Sequence, residues 1–269
     1  MKNSVVLGTF GNASYKDLLS AVDASVSNGI KAFDTAPSYG TEKLLGKALK
    51  TIMSFHQIDR SDLFVSDKVD AWQMQERNGD VRCYVENAVS EMNVQYLDLL
   101  FIHWPVEYYL QRSWECMLRM KEDGLVKNIG ICNVRKRHLK KWKKIGIEPQ
   151  FVQIERHPLR TCQDDLQYCK EHGITVFSYS PLCRMHPKLK ESTRIKKIAE
   201  KYGKNVGQII LRWHIDSGTI PVFMSKNPER ICKNIDLFDF TLSKEEIESI
   251  DSLDCNYKIY LESWGCPGF

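Results

Sequence analysis

The sequence lacks the signals that mark the specialised protein classes. Its nine cysteines are odd in number and include no Cys-x-x-Cys pair. That spacing does not suit a zinc site, and 269 residues are too many for a small disulfide-stapled scaffold. Free thiols in a reducing compartment are the simpler account. No apolar run reaches the length of a membrane span, and "MKNSVVLGTFG" holds only about six apolar residues before a turn, too few for a signal peptide. A cytoplasmic protein without a membrane partner is therefore expected. The stretch "LGTFGNAS" does not fit Gly-x-Gly-x-x-Gly, so the usual phosphate turn of an open dinucleotide-binding sheet is missing. Charge of one sign is scarce too: the net +4 does not call for nucleic acid, although it tolerates an anionic cofactor. The one basic run, "RKRHLKKWKK" at 135–144, places Leu139 and Trp142 together at i and i+3. It reads as a helix with a wet cationic face rather than a nucleic-acid patch.

What is present is alternation. Short Val/Ile/Phe-rich runs at 5–10, 30–33, 63–69, 96–103, 128–133, 151–155, 174–180 and 219–223 are nearly continuous in apolar character, as strands covered on both faces are. Between them the period changes to that of helices, expected at 15–28, 42–53, 81–93, 110–123, 135–145, 162–172 and 206–216. Ser14 is placed to cap the first of these, and Gly29 to stop it. Eight such units without a Pro/Gly/Ser linker predict one closed parallel (β/α)8 TIM barrel spanning 1–269 as a single domain. Two extra helices follow the eighth strand. One lies near 228–235; the other starts at Ser243, where Ser243 and Glu246 form a capping box. Residues 254–269 read as a short irregular tail whose Trp264 is either a pocket aromatic or a surface one.

Polar residues collect where these strands end. Asp34 closes the second run, Lys68 lies in "LFVSDKV" of the third, His103 closes "LDLLFIHW" of the fourth, and Tyr39 sits in the loop after the second. All C-terminal strand ends of a parallel barrel share one rim, so the four would converge there. Together they suit proton transfer to a carbonyl oxygen. A phenol keeps its proton at neutral pH, its ordinary pKa being roughly 10. A neighbouring ammonium should lower that value, a carboxylate would hold the ammonium, and an imidazole would orient the carbonyl. Each residue also has an ordinary reading. Asp34 could be a helix cap, Lys68 could pair with Asp67 or Asp70 at the surface, and His103 could be a satisfied buried histidine. No metal-ligand cluster is evident.

With those residues in place, the chain resembles the aldo-keto reductases from about residue 7 to residue 253. The phrases "FDTAPSYG", "VSDKV" and "FIHWP" match that family's Asp–Tyr–Lys–His tetrad at Asp34, Tyr39, Lys68 and His103. The resemblance implies reduction of an aldehyde or ketone by NADPH, with Tyr39 as the acid. It further implies cofactor contacts from Cys132 and Asn133 in "GICNV", Gln153 in "VQIERHP", and Tyr179, Ser180 and Leu182 in "SYSPL". Ser225, Lys226, Arg230 and Asn234 in "PVFMSKNPERICKN" would receive the adenosine 2′-phosphate. Phe10 and Trp104 match positions lining the substrate pocket. Four departures stand out: Cys132 replaces a serine, Met224 replaces a common lysine, Asp70 stands where tryptophan is frequent, and few residues precede the first strand to form the family's barrel-bottom hairpin. The implied partner is a small carbonyl compound and the implied state a monomer. A nucleotide-sensing binding subunit and an alcohol dehydrogenase running oxidatively remain alternatives on the same sites.

Overall fold

The computed structural model describes residues 5–12 and 14–261; Trp264 and the segment before residue 5 lie outside them. Eight strands pair in parallel and in chain order until the last closes on the first. They are β1 (Val6–Gly8), β2 (Ala32–Asp34), β3 (Phe64–Val69), β4 (Leu99–Ile102), β5 (Ile129–Cys132), β6 (Phe151–Glu155), β7 (Thr175–Tyr179) and β8 (Ile220–Phe223). This is the expected (β/α)8 TIM barrel. Most strands are shorter than their apolar runs, because the chain leaves the hydrogen-bonded ladder before its buried side chains end. β2 shifts the other way and includes Asp34.

Among the described residues the helices are α1 (Tyr15–Ser27), α2 (Glu42–His56), α3 (Ala71–Glu76), α4 (Arg82–Met92), α5 (Glu107–Glu122), α6 (Lys136–Lys143), α7 (Gln163–Glu171), α8 (Pro187–Lys190), α9 (Thr193–Tyr202), α10 (Val206–Asp216), α11 (Pro228–Ile235) and α12 (Lys244–Asp251). Ser14 caps α1 by accepting the Asp17 N–H at 3.1 Å. Ser243 and Glu246 form their reciprocal box on α12. In α6, Leu139 and Trp142 are buried while the lysines face outward. Three helices, α3, α8 and α9, fall outside the expected set. α9 carried a legible signal: Ile195, Ile198, Ala199 and Tyr202 follow the i, i+3, i+4, i+7 period between a Ser192 cap and a left-handed Gly203.

Two apolar layers hold the barrel. Outside, β-strand and helix side chains form one large core, with a separate smaller cluster around Trp213 where α9, α10 and α12 pack. Inside, Val6, Ala32, Leu99, Phe101, Phe177, Ile220 and Val222 fill the lumen. Phe101 meets Phe177 edge to face at 5.7 Å. That ring needs Gly130 opposite it, since a Cβ there would lie 2.7 Å from Phe101 and 2.5 Å from the Phe151 carbonyl oxygen. The lumen residues recur every second position, so the next inward positions along β2, β3, β5 and β6 are Asp34, Ser66 and Lys68, Cys132 and Gln153. The apolar filling thus gives way to polar groups at the C-terminal rim.

Candidate active site

Register assembles the deepest part of the site. Asp34 pairs with Ser66 across β2 and β3, and Lys68, two residues on, projects from the same face. The Lys68 ammonium donates to Asp34 Oδ2 at 2.5 Å and to the Thr35 carbonyl oxygen at 2.6 Å. The other oxygen of Asp34 accepts from Ser66 Oγ at 2.8 Å and from Gln153 Nε2 at 3.1 Å. Both charged side chains are out of water, and each has further hydrogen bonds beside the pair itself, the condition under which a buried ion pair is tolerated. Lys68 makes no surface pair with Asp67 or Asp70, which are themselves buried. The Asp67 carboxylate accepts the Lys68 backbone N–H instead, and Asp70 is engaged elsewhere. Asp34 caps no helix.

Tyr39 ends a single tight turn, Pro37–Tyr39, that Pro37 starts and a left-handed Gly40 closes. Its ring stands edge-on to Phe10 at 5.2 Å and to His103 at 5.7 Å, with the Lys68 ammonium 4.9 Å from its centre. Burial pushes the Tyr39 phenol well above its ordinary value. Lys68 opposes that shift and Asp34 adds to it. The expected lowering by the lysine is therefore present but outweighed, because desolving a phenolate costs more here than one paired ammonium returns. Burial alone would pull Lys68 down, yet Asp34 and its other anionic neighbours hold it above the ordinary lysine range. Burial keeps His103 low; its hydrogen bond to Asp70 opposes this and the Lys68 charge reinforces it, leaving a neutral imidazole at neutral pH.

A cavity of about 1010 Å³ opens above these groups, lined by all the residues matched to the family's tetrad, cofactor and substrate positions except Lys68, which lies behind Asp34 and Tyr39. Its wall is continuous in three zones. Near Tyr39 stand Phe10, His103 and Trp104. In the middle, Asn133 donates to the His103 carbonyl oxygen at 2.8 Å and accepts the Tyr179 hydroxyl at 2.7 Å. Asn133 and Ser180 both adopt left-handed backbone, φ 60 and 49, an uncommon state for such residues that clusters at functional sites. At the far end lie Lys226 and Arg230, joined by Lys233, which the sequence reading missed. Ser225 turns the chain by accepting the Asn227 N–H at 3.1 Å, and Asn227 caps α11. Arg184 and Tyr260, also missed, face each other across the mouth, with an Arg184 nitrogen donating to the Tyr260 hydroxyl at 3.0 Å.

Residues 4–255 match the profile described as Aldo/keto reductase family. The chain belongs to that family. It is 33% identical over 246 residues to methylglyoxal reductase DkgA of Escherichia coli O157:H7, a match covering 90% of this chain and 86% of that protein. It is 32% identical over 254 residues to glyoxal reductase of Bacillus subtilis (strain 168), covering 94% and 89%. The solved structure of a Bombyx mori aldo-keto reductase in complex with NADP superposes with a TM-score of 0.89 at 28% identity, over 96% of this chain and 91% of that one. As a family member the chain is an oxidoreductase, and its relatives support carbonyl reduction as the reaction type. Two of its departures from the family pattern are visible at the site. Cys132 is buried and its thiol pushed well up by that burial, so it stays protonated. Asp70 bonds Ser38 and His103 rather than offering a ring to the pocket. Among the described residues no helix is long and apolar enough to cross a membrane, and no cluster of His, Cys, Asp or Glu could hold a metal ion.

Proposed function

We propose that the protein reduces an aldehyde or ketone to the alcohol with NADPH, and that Tyr39 supplies the proton. The observation that carries this reading is the Tyr39 phenol lining an open cavity, with the sealed Lys68–Asp34 pair behind it. The nicotinamide, when bound, supplies the hydride to the carbonyl carbon. As charge builds on the carbonyl oxygen, Tyr39 gives up its hydroxyl proton to it, and the O–H bond of the product forms as that of the phenol breaks. Lys68 stabilises the phenolate left behind, and Asp34 with the Thr35 carbonyl keeps the ammonium aimed there. Solvent then returns a proton to Tyr39. Phe10 and Trp104 give the substrate an apolar wall.

The donor set fits a nicotinamide dinucleotide. Asn133 and Gln153 would hold the carboxamide beside Cys132, Tyr179 would stack on the ring, and Ser180 and Leu182 would flank the pyrophosphate. Ser225, Lys226, Arg230 and Asn234 would take the 2′-phosphate, and Lys233 adds a third cation at that end. Fixed charge beside a ribose phosphate favours NADPH over NADH. Because burial raises the Tyr39 phenol, it holds its proton at neutral pH, the form that reduction requires. The test is turnover of a panel of aldehydes, ketones, quinones and sugars with either dinucleotide, alongside calorimetric binding of each. Reduction with NADPH preferred is expected. Tight NADPH binding with no turnover on any member of the panel would overturn the enzymatic reading, and equal use of NADH would overturn the phosphate assignment.

A further inference from the structure

Asp70 joins two parts of the site that the chain brings in separately. One carboxylate oxygen accepts the Ser38 backbone N–H at 2.8 Å; the other accepts the Ser38 hydroxyl at 3.3 Å and lies 2.5 Å from His103 Nδ1. Its own N–H donates to Gln73 Oε1 at 2.9 Å, which pins the residue at the start of α3. The turn carrying Tyr39 and the ring of His103 are thus referred to one buried carboxylate.

That contact decides which nitrogen of the imidazole carries hydrogen. An ionised carboxylate is only an acceptor. Asp70 stays ionised because, although burial works against its charge, its bonds to His103 and Ser38 outweigh that and hold it below the ordinary aspartate value. The hydrogen in the Asp70–His103 bond therefore belongs to Nδ1. A second proton on the ring is disfavoured by burial and by Lys68, while Asp70 and Asp34 favour it and lose. A neutral imidazole has one N–H, so Nε2 is left bare. No other hydrogen bond to the ring occurs among the described residues, and His103 lines the cavity beside Tyr39.

A bare nitrogen cannot donate to a carbonyl oxygen; it repels one and asks for a donor. Tyr39 and His103 are neighbouring rings, 5.7 Å between centres, so they can meet two adjacent polar atoms of one ligand. We propose that Asp70 is a positioning residue that fixes His103 as its Nδ1–H form, so that Nε2 accepts a hydrogen bond from the substrate, and that the site therefore favours α-hydroxy aldehydes and ketones. The carbonyl oxygen takes the Tyr39 proton and the adjacent hydroxyl donates to Nε2. The substrate preference rests on the reductase reading above; the tautomer does not.

The experiment has two arms. Ring-nitrogen NMR shifts of His103 in the labelled protein at neutral pH report the tautomer without any turnover. Nδ1 protonated and Nε2 bare is expected, and the reverse overturns the proposal. In Asp70→Asn the single amide oxygen satisfies the Ser38 N–H, which cannot rotate away, so the amide NH2 faces Nδ1 and moves the ring proton to Nε2. Steady-state kinetics then compare hydroxyacetone with methoxyacetone, which keeps the electron-withdrawing oxygen but has no donor. The wild-type protein should favour hydroxyacetone in kcat/KM by at least about tenfold, and Asp70→Asn should shrink that ratio to within about threefold. A ratio within one preparation is unaffected by its folded fraction. Equal wild-type rates on the two ketones, or an undiminished ratio in a variant whose tautomer has flipped, would overturn the substrate preference while leaving the reductase reading standing. If Asp70→Asn does not fold, the wild-type tautomer and the wild-type ratio still decide. Absence of turnover on every carbonyl compound would fall on the reductase reading instead.

Discussion

Replacing Tyr39 with phenylalanine removes one oxygen and leaves the ring. The ring's edge contacts to Phe10 and His103 depend on the aromatic rim, not on the hydroxyl. Lys68 loses its interaction with the hydroxyl but keeps Asp34 and the Thr35 carbonyl. The change in folding stability should stay within about 2 kcal/mol, the scale of one hydrogen bond to a charged group, and NADPH affinity within about threefold, because no cofactor contact is assigned to the phenol oxygen. The chemical step loses its proton source. A positioned general acid contributes on the order of 100- to 10,000-fold, so the rate of carbonyl reduction should fall at least about 100-fold, or roughly 2.7 kcal/mol at 1.36 kcal/mol per decade. Single-turnover loss of reduced-nicotinamide absorbance, with NADPH binding measured separately by fluorescence, isolates this step. The pH dependence adds a second arm. Reduction needs the protonated phenol, which exists below its pKa, and burial holds that pKa above the ordinary value. The wild-type rate should therefore show no phenol-linked loss until pH rises past roughly 10, the unperturbed phenol value. A Tyr39→Phe rate within tenfold of wild type, or a phenol-linked loss centred near neutrality, would refute the assignment.

Three further outcomes are expected. Arg230→Ala should weaken NADPH about tenfold more than NADH in calorimetry, the scale of one exposed charge-assisted phosphate contact; equal losses would count against 2′-phosphate recognition. Gly46→Ala sets two effects against each other. Mid-helix propensity alone would stabilise α2 by about 1 kcal/mol, but a Cβ would sit 2.3 Å from backbone atoms of Met92 on α4. Denaturant unfolding should show net destabilisation of at least about 2 kcal/mol, and a stabilised variant would mean that α2 and α4 separate easily. His138 is drawn down to about 4, by burial first and then by the Arg137 charge. Its unfolded value is higher, so the unfolded chain binds the extra proton between about pH 6.5 and 4, and stability falls as pH falls through that window. The loss from this residue should reach about 2 kcal/mol at pH 5 relative to pH 7, and His138→Gln should flatten the curve; an unchanged slope in that variant would contradict it.

Much of the site was legible in the chain because its signals are local. Strand-length apolar runs alternate with helical periods, and the phrases holding Asp34, Tyr39, Lys68 and His103 each lie within one βα unit. The residues proposed for the cofactor were equally local, resting on "GICNV", "SYSPL" and "NPER". Lys233 was harder to see, since a lysine in the middle of a short helix looks like any solvated cation. α9 was available to periodicity and was simply not among the expected elements.

Sequence alone determined the order of strands and helices and the types of group delivered to the barrel rim, because both depend on neighbours in the chain. Tertiary structure decided which groups meet and which physical term prevails. Strand register, set by barrel closure, puts Ser66 and Gln153 on Asp34 and buries Lys68 away from Asp67 and Asp70. Burial depth reverses the expected direction of the Tyr39 shift. The pairing of Asp70 with His103 joins residues 33 apart, across β3 and β4. Contacts between strands and the loss of water are properties of the packed whole, and no local stretch of sequence carries them.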